Sequence, residues 1–269
     1  MFDATITSLR EWFDLRSNEK EFRTALLPSR IDLSPPEKLQ QTAPSIIFKE
    51  NTFVELGHPS AGSCSLCAAT LEHSLVDDGR LTMLGPDIPE SQGKVLPFAQ
   101  VVIGSCTKDA GEISLAMDRI IHTSSQMDGY MLRSVPNRVW ARVSREAAGS
   151  GFSLEKLGSQ LRNSLKDQCP GITGIEVFFV TRCKEDVAAL EGIIQPAREE
   201  LEQIQTYQRL PDGTYECTTG LDCTECPEKP VCDNIREIIS IRKGDRIITF
   251  ARDGSRPTQE TAKPEEPEK

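Results

Sequence analysis

The feature that most constrains this chain is a run of four cysteines, Cys217-x5-Cys223-x2-Cys226-x5-Cys232. A C-x2-C pair lets two thiolates reach one metal from a single tight turn, and the two flanking cysteines complete a set of four soft ligands. Such a set suits zinc or an iron–sulfur cluster and not magnesium or calcium. Pro227 and Pro230 stiffen the loop and lower the entropy lost when the ligands are fixed. Zinc ribbons pair two C-x2-C knuckles, and this stretch has one. Unevenly spaced cysteines on a Pro-containing loop fit a [4Fe–4S] site better, with zinc as the alternative. The readings without metal are two disulfides or separate buried thiols. The chain has nine cysteines, an odd number that speaks against a fully paired framework.

Cys64 and Cys67 form a second C-x2-C after Gly62, in a stretch that reads as a Gly/Ser-containing loop. They are a candidate second metal half-site or redox dithiol, and equally two ordinary thiols. Cys106, Cys169 and Cys183 fall at strand or helix ends and read as small buried hydrophobes. Of the three histidines, His58, His73 and His122, the last sits beside Ile120 and Ile121 on a helix and reads as structural. No Gly-rich phosphate loop, nucleophile elbow or Ser/His/Asp order stands out.

The formal net charge of -10 and pI of about 5.0 argue against nucleic acid as a partner. No stretch reaches the roughly 20 consecutive apolar residues of a membrane-spanning helix. The N-terminus carries Asp3 and no unbroken apolar core, unlike a secretory signal. The expected location is the cytoplasm, where thiols stay reduced.

With 269 residues and a hydrophobic fraction of 38%, the chain can bury a substantial core. Phe2, Ile6, Leu9, Phe13 and Phe22 recur at helical spacing, so 2–27 reads as an amphipathic helix or helix pair docked on the main body. Pro28, Pro35, Pro36 and Pro44 make 28–46 an extended linker. Strands are expected at 45–57, 81–86, 95–106, 138–144 and 174–181. Helices are expected after Asp109, behind a Ser153 N-cap, and over 184–208, where Pro196 kinks or divides the helix. Asp233 should cap a short helix before Gly244, 245–251 should form a last strand, and the polar tail should be disordered. The expected class is α/β or α+β, a layered mixed sheet with packed helices and a cysteine-rich loop. The expected organisation is a helical arm and linker (1–46), an α/β domain (47–210), a metal-binding segment (211–252) and a tail (253–269).

Several segments in order resemble the β subunit of the acetyl-CoA synthase/decarbonylase complex, of the carbon monoxide dehydrogenase/acetyl-CoA synthase family. They are FVELG (53–57), DGRLTMLGPDI (78–88), LPFAQVVI (96–103), RIIH (119–122), NRVWARVSREA (137–147) and GIEVFFVT (174–181), followed by the helix that leads to the C-x2-C. Within the fifth, Asn137, Arg138, Trp140, Arg142 and Ser144 occupy matching places. The resemblance implies that Cys223, Cys226 and Cys232 help hold a [4Fe–4S] cluster, with Cys217 replacing a ligand the family carries downstream. It implies anaerobic one-carbon and acetyl-CoA metabolism, with partners of the carbon monoxide dehydrogenase, corrinoid or methyltransferase type. The family's nickel-binding Cys-Gly-Cys does not occur in this chain, which ends soon after the cysteines. The expected role is therefore an electron-transfer or accessory subunit. The alternatives are a CO-methylating acyltransferase component with nickel on an unusual pair such as Cys64 and Cys67, and a zinc-stabilised interaction module.

Overall fold

The computed structural model describes residues 1–28, 46–91, 95–123, 127–135, 138–204, 207–209 and 215–217. The chain divides into two units, Met1–Ile204 and Gln205–Lys269. The first contains, in order, α1 (Asp3–Asp14), β1 (Phe22–Leu26), β2 (Thr52–Leu56), β3 (Ser63–Thr70), β4 (Arg80–Leu84), β5 (Val95–Leu96), β6 (Phe98–Cys106) and α2 (Ala110–Thr123). It continues with β7 (Tyr130–Val135), β8 (Arg138–Ser144), α3 (Arg145–Gly149), α4 (Leu154–Gln168), β9 (Ile172–Val180) and α5 (Lys184–Ile204). In the second unit β10 (Tyr207–Arg209) and β11 (Tyr215–Cys217) form an antiparallel hairpin.

The main sheet has the order β1-β4-β9-β6-β3. Its pairs alternate in sense: β1/β4 antiparallel, β4/β9 parallel, β9/β6 antiparallel and β6/β3 parallel. Strands β3 and β6 are buried along their whole length, and β9 along all but its first two residues. Both faces of the sheet are therefore covered, which is why these strands read as near-continuous apolar or small-residue runs. Successive side chains serve opposite faces. Val101, Ile103, Phe178 and Val180 pack under α1 and α5, with Phe2, Ile6, Leu9, Phe13, Leu190 and Ile194. Phe98, Val102, Val177 and Phe179 pack on the other side against Met117 of α2, Leu157 and Leu161 of α4, and the inner face of a second sheet. That second sheet has the order β5-β2-β8-β7 and contributes Val54, Leu56, Val139, Ala141 and Val143. The expected mixed α/β class is what folds.

The Ser153 cap read from sequence is present, accepting the Lys156 N–H at 3.2 Å ahead of α4, and the structure adds Asp109, which accepts the Glu112 N–H at 2.9 Å ahead of α2. α5 runs as one element through Pro196 and is not divided there. The carbonyl that loses its helical donor is that of Gly192, on the exposed side of the helix. The N-terminal expectation needs correction. The helix stops at Asp14, and Phe22–Leu26 is a strand. Nine residues on from Phe13, Phe22 would fall on the opposite face of a continued helix, and Phe22–Leu26 instead pairs residue for residue with β4. The 45–57 strand begins only at Thr52, after a single 3-10 turn over Lys49–Asn51. Cys64 and Cys67, expected in a loop, lie inside β3. Most of the proposed linker at 28–46, the Asp233-capped helix, the strand at 245–251 and the tail lie outside the described residues.

One ion pair ties α1 to the sheet. Glu176 of β9 is 1% exposed and lies 2.5 Å from the Arg10 guanidinium, while its Oε2 also accepts the Asp77 N–H at 3.0 Å. Burial pushes the Glu176 carboxyl up even so, with Arg10 and the Asp77 amide opposing the shift. Arg10→Ala leaves this carboxylate buried without its cation and should cost about 2–3 kcal/mol in urea unfolding at neutral pH. Glu176→Gln should cost less, because no charge is then stranded.

A second charged cluster fixes α4. Asp78 accepts from Arg162 at 2.9 Å, from Lys166 at 2.8 Å and from the Ile175 N–H at 2.9 Å. Burial alone would raise its carboxyl, but these three donors outweigh burial and hold it below the usual 3.8. The folded state therefore binds this proton less readily than the unfolded chain. The stability Asp78 contributes is present above pH 3.8 and is lost as the pH falls through the lower folded value. Asp78→Asn should be less stable at pH 7 and should flatten the acid limb of a stability-versus-pH curve; an unchanged limb would count against this pairing.

Candidate functional site

The cysteines singled out by their spacing are only partly within the described residues. Cys217 closes β11 and pairs with Tyr207 across the hairpin, so the ladder fixes its backbone. Cys223, Cys226 and Cys232 lie outside the described residues. Among the described residues no group of three His, Cys, Asp or Glu side chains gathers to hold a metal. The fit to a metal rests on the donor set, four thiols close in sequence, which suits an iron–sulfur cluster or zinc.

The structure does not bring Cys64 and Cys67 together. Three residues apart on one strand, they serve opposite faces of β3. Cys64 joins the cluster beneath α1 and α5, with its Sγ 3.7 Å from the Val187 carbonyl. Cys67 joins the cluster on the other face. Burial pushes the Cys64 thiol up to about 12 against the pull of Arg198, and burial beside Asp118 pushes Cys67 well above its usual value. Both thiols stay protonated at neutral pH, so neither serves as a ready metal ligand or nucleophile. As placed on β3, the two side chains do not converge on one metal and are not set side by side as a dithiol.

Cys106 and Cys169 are buried as read, while Cys183 is partly exposed and donates to Asp186 at 3.0 Å. His122 sits on α2 with Nε2 3.4 Å from Asp118.

The outer face of the second sheet carries residues that packing does not explain. Along β8 burial alternates strictly: Val139, Ala141 and Val143 are buried, while Arg138, Trp140, Arg142 and Ser144 face outward. The outward row holds four of the five matching residues named within one of the six resembling segments. Arg142 lies across from Glu55 of β2 and donates to it at 2.6 Å. The same guanidinium donates to the Ile47 carbonyl at 3.2 Å and lies 5.8 Å from the Trp140 ring. His58 meets that ring edge-on at 5.5 Å, with its Nδ1 2.8 Å from the Ser60 hydroxyl. Ser144 caps α3 by accepting the Ala147 N–H at 3.1 Å. A largely buried charged pair, an indole and an imidazole thus form one fixed group at the outer face of the sheet.

Two sheets, with helices on both faces of the larger one and a polar row on the smaller one, define a layered α/β protein. Residues 43–187 match the family model described as the CO dehydrogenase/acetyl-CoA synthase complex beta subunit. The chain belongs to that family. It is 32% identical over 174 residues to the acetyl-CoA decarbonylase/synthase complex subunit beta of Methanothermobacter thermautotrophicus, covering 64% of this chain and 35% of the relative. It is 26% identical over 178 residues to the subunit of that name from Methanopyrus kandleri, covering 65% and 36%. It is 27% identical over 184 residues to the carbon monoxide dehydrogenase/acetyl-CoA synthase subunit alpha of Moorella thermoacetica, covering 67% and 24%. The alignments thus span about a third or less of the length of these relatives. The family match takes in β2 through β9, and α1 and β1 precede it.

Proposed function

We propose that this chain is an iron–sulfur subunit of anaerobic acetyl-CoA metabolism, acting beside a carbon monoxide dehydrogenase as an electron-transfer or accessory component. One observation carries the reading: a body of the acetyl-CoA synthase family is followed by Cys217, Cys223, Cys226 and Cys232. A [4Fe–4S] cluster bound there supplies one-electron transfer. The chain's own contribution is to hold four thiolates in place. The β10–β11 ladder fixes Cys217, and Pro227 and Pro230 restrict the loop that carries the others. The fixed group of Glu55, Arg142, Trp140 and His58 gives the second sheet a rigid, partly buried polar outer face that a protein partner could cover. Corrinoid proteins and methyltransferases are further partners under this reading.

The test is reduction through a partner. The oxygen-free holoprotein is mixed with a catalytic amount of carbon monoxide dehydrogenase under CO, and its visible absorption is followed. Bleaching that requires both CO and the dehydrogenase supports electron transfer. A protein that dithionite reduces but CO with the dehydrogenase does not would remove the electron-transfer role.

A further inference from the structure

Two buried cysteines that the proposed function does not use lie at one end of the main sheet. Cys106 is the last residue of β6, and Cys169 is the C-cap of α4. The β6–β9 ladder sets Cys106 directly opposite Ile172, and the Ile172 N–H bonds back to the Cys169 carbonyl at 3.4 Å. The Thr107 N–H continues the ladder to the Gly171 carbonyl at 3.0 Å. The turn from 169 to 172 thereby folds Cys169 back beside the end of β6. Both side chains belong to the same buried cluster. Burial raises both thiols, and at Cys169 the charge of neighbouring Cys106 adds to the effect. The cover is thin, because Thr107, Lys108, Asp109 and Pro170 are all exposed. The other cysteines of the first unit are not placed to compete: Cys64 and Cys67 lie within β3, and Cys183 follows β9 at the opposite end of that strand from Cys169.

We propose that Cys106 and Cys169 are a dithiol that a small-molecule disulfide oxidises to an intramolecular disulfide, pinning the end of α4 to the end of β6. One cysteine thiolate attacks the oxidant's S–S bond and releases one thiol. The second attacks the resulting mixed disulfide and releases the other thiol. With glutathione disulfide, two cysteine thiols and one oxidant give one protein disulfide and two glutathione molecules, which carry away both electrons and both protons. In the reduced chain the Cys106 thiol is 3.5 Å from the Thr70 carbonyl and 3.4 Å from the Lys108 carbonyl, bonds it exchanges for the S–S link.

The full-length holoprotein, kept oxygen-free, is equilibrated in buffers of reduced and oxidised glutathione, alkylated, digested and mapped by mass spectrometry. The expected product is a cross-linked peptide joining Cys106 to Cys169, lighter by two hydrogens than its reduced parts. Closing this long loop should raise Tm by roughly 5–10 °C. Dithiothreitol should reverse both changes, and Cys183→Ala should retain them. Cys106→Ala and Cys169→Ala should each lose both. The proposal is overturned if Cys106 and Cys169 are recovered only as free thiols or separate glutathione adducts at potentials where Cys183 is fully oxidised. It is equally overturned if the Tm rise persists in either alanine variant. The wild-type peptide map decides the matter even where an alanine variant folds poorly.

Discussion

Replacing Cys223 and Cys226 together with serine should strip the protein of its metal. Iron is expected to fall from about four atoms per chain to background, with loss of the broad visible absorption. A serine hydroxyl is a hard, protonated donor at neutral pH and does not stand in for a thiolate. The two positions are the C-x2-C pair of the proposed ligand set, and Cys217 and Cys232, fifteen residues apart in sequence, are too widely spaced to replace it. Cys64→Ala with Cys67→Ala is the matched control. Those thiols lie in separate hydrophobic clusters on opposite faces of β3, and their removal should leave the metal content unchanged. Metal retained in the Cys223/Cys226 variant and lost in the Cys64/Cys67 variant would reverse the assignment.

Gly57→Ala should be among the most damaging single changes to the fold. Gly57 follows β2 with φ +67°, where an L side chain is strained. A Cβ there would stand 2.0 Å from the Val139 carbonyl oxygen and 2.8 Å from the Ser63 Cβ. The first obstacle is backbone of the adjacent strand and cannot rotate away. Strain and overpacking together should cost roughly 3–5 kcal/mol, a large part of an ordinary domain's stability. The melting temperature should fall by roughly 10 °C, or the variant should accumulate as insoluble protein. Gly192→Ala is the control, since nothing lies within 4 Å of its Cβ position on the exposed side of α5. It should be neutral or slightly stabilising. Equal stability of the two variants would contradict the packing of β2 against β8.

The sequence made some elements plain and hid others, for physical reasons. Strands β6, β8 and β9 were visible because strand periodicity and burial agree: β6 and β9 are apolar runs, and β8 alternates. The cap at Ser153 was visible because capping is local chemistry. β3 was not visible. Its Ser, Cys and Ala residues have little strand propensity, and its free edge is completed by groups remote in sequence. The Ser65 carbonyl accepts two bonds from Arg198, at 3.1 and 2.9 Å, and the Ala69 N–H bonds the Ser114 hydroxyl at 2.7 Å. β1 was hidden for a similar reason, since its strand character comes from pairing with β4. At the candidate site, the outward row of β8 was legible as alternation. The joining of Glu55 to Arg142 and of His58 to Trp140 was not, because each pair spans distant segments.

The most direct test of the central claim is elemental analysis and Mössbauer spectroscopy of the wild-type protein purified without oxygen. The prediction is about four irons per chain in a [4Fe–4S] signature with little zinc. One zinc per chain and no iron would contradict it, and would make the cysteine segment a structural zinc site instead.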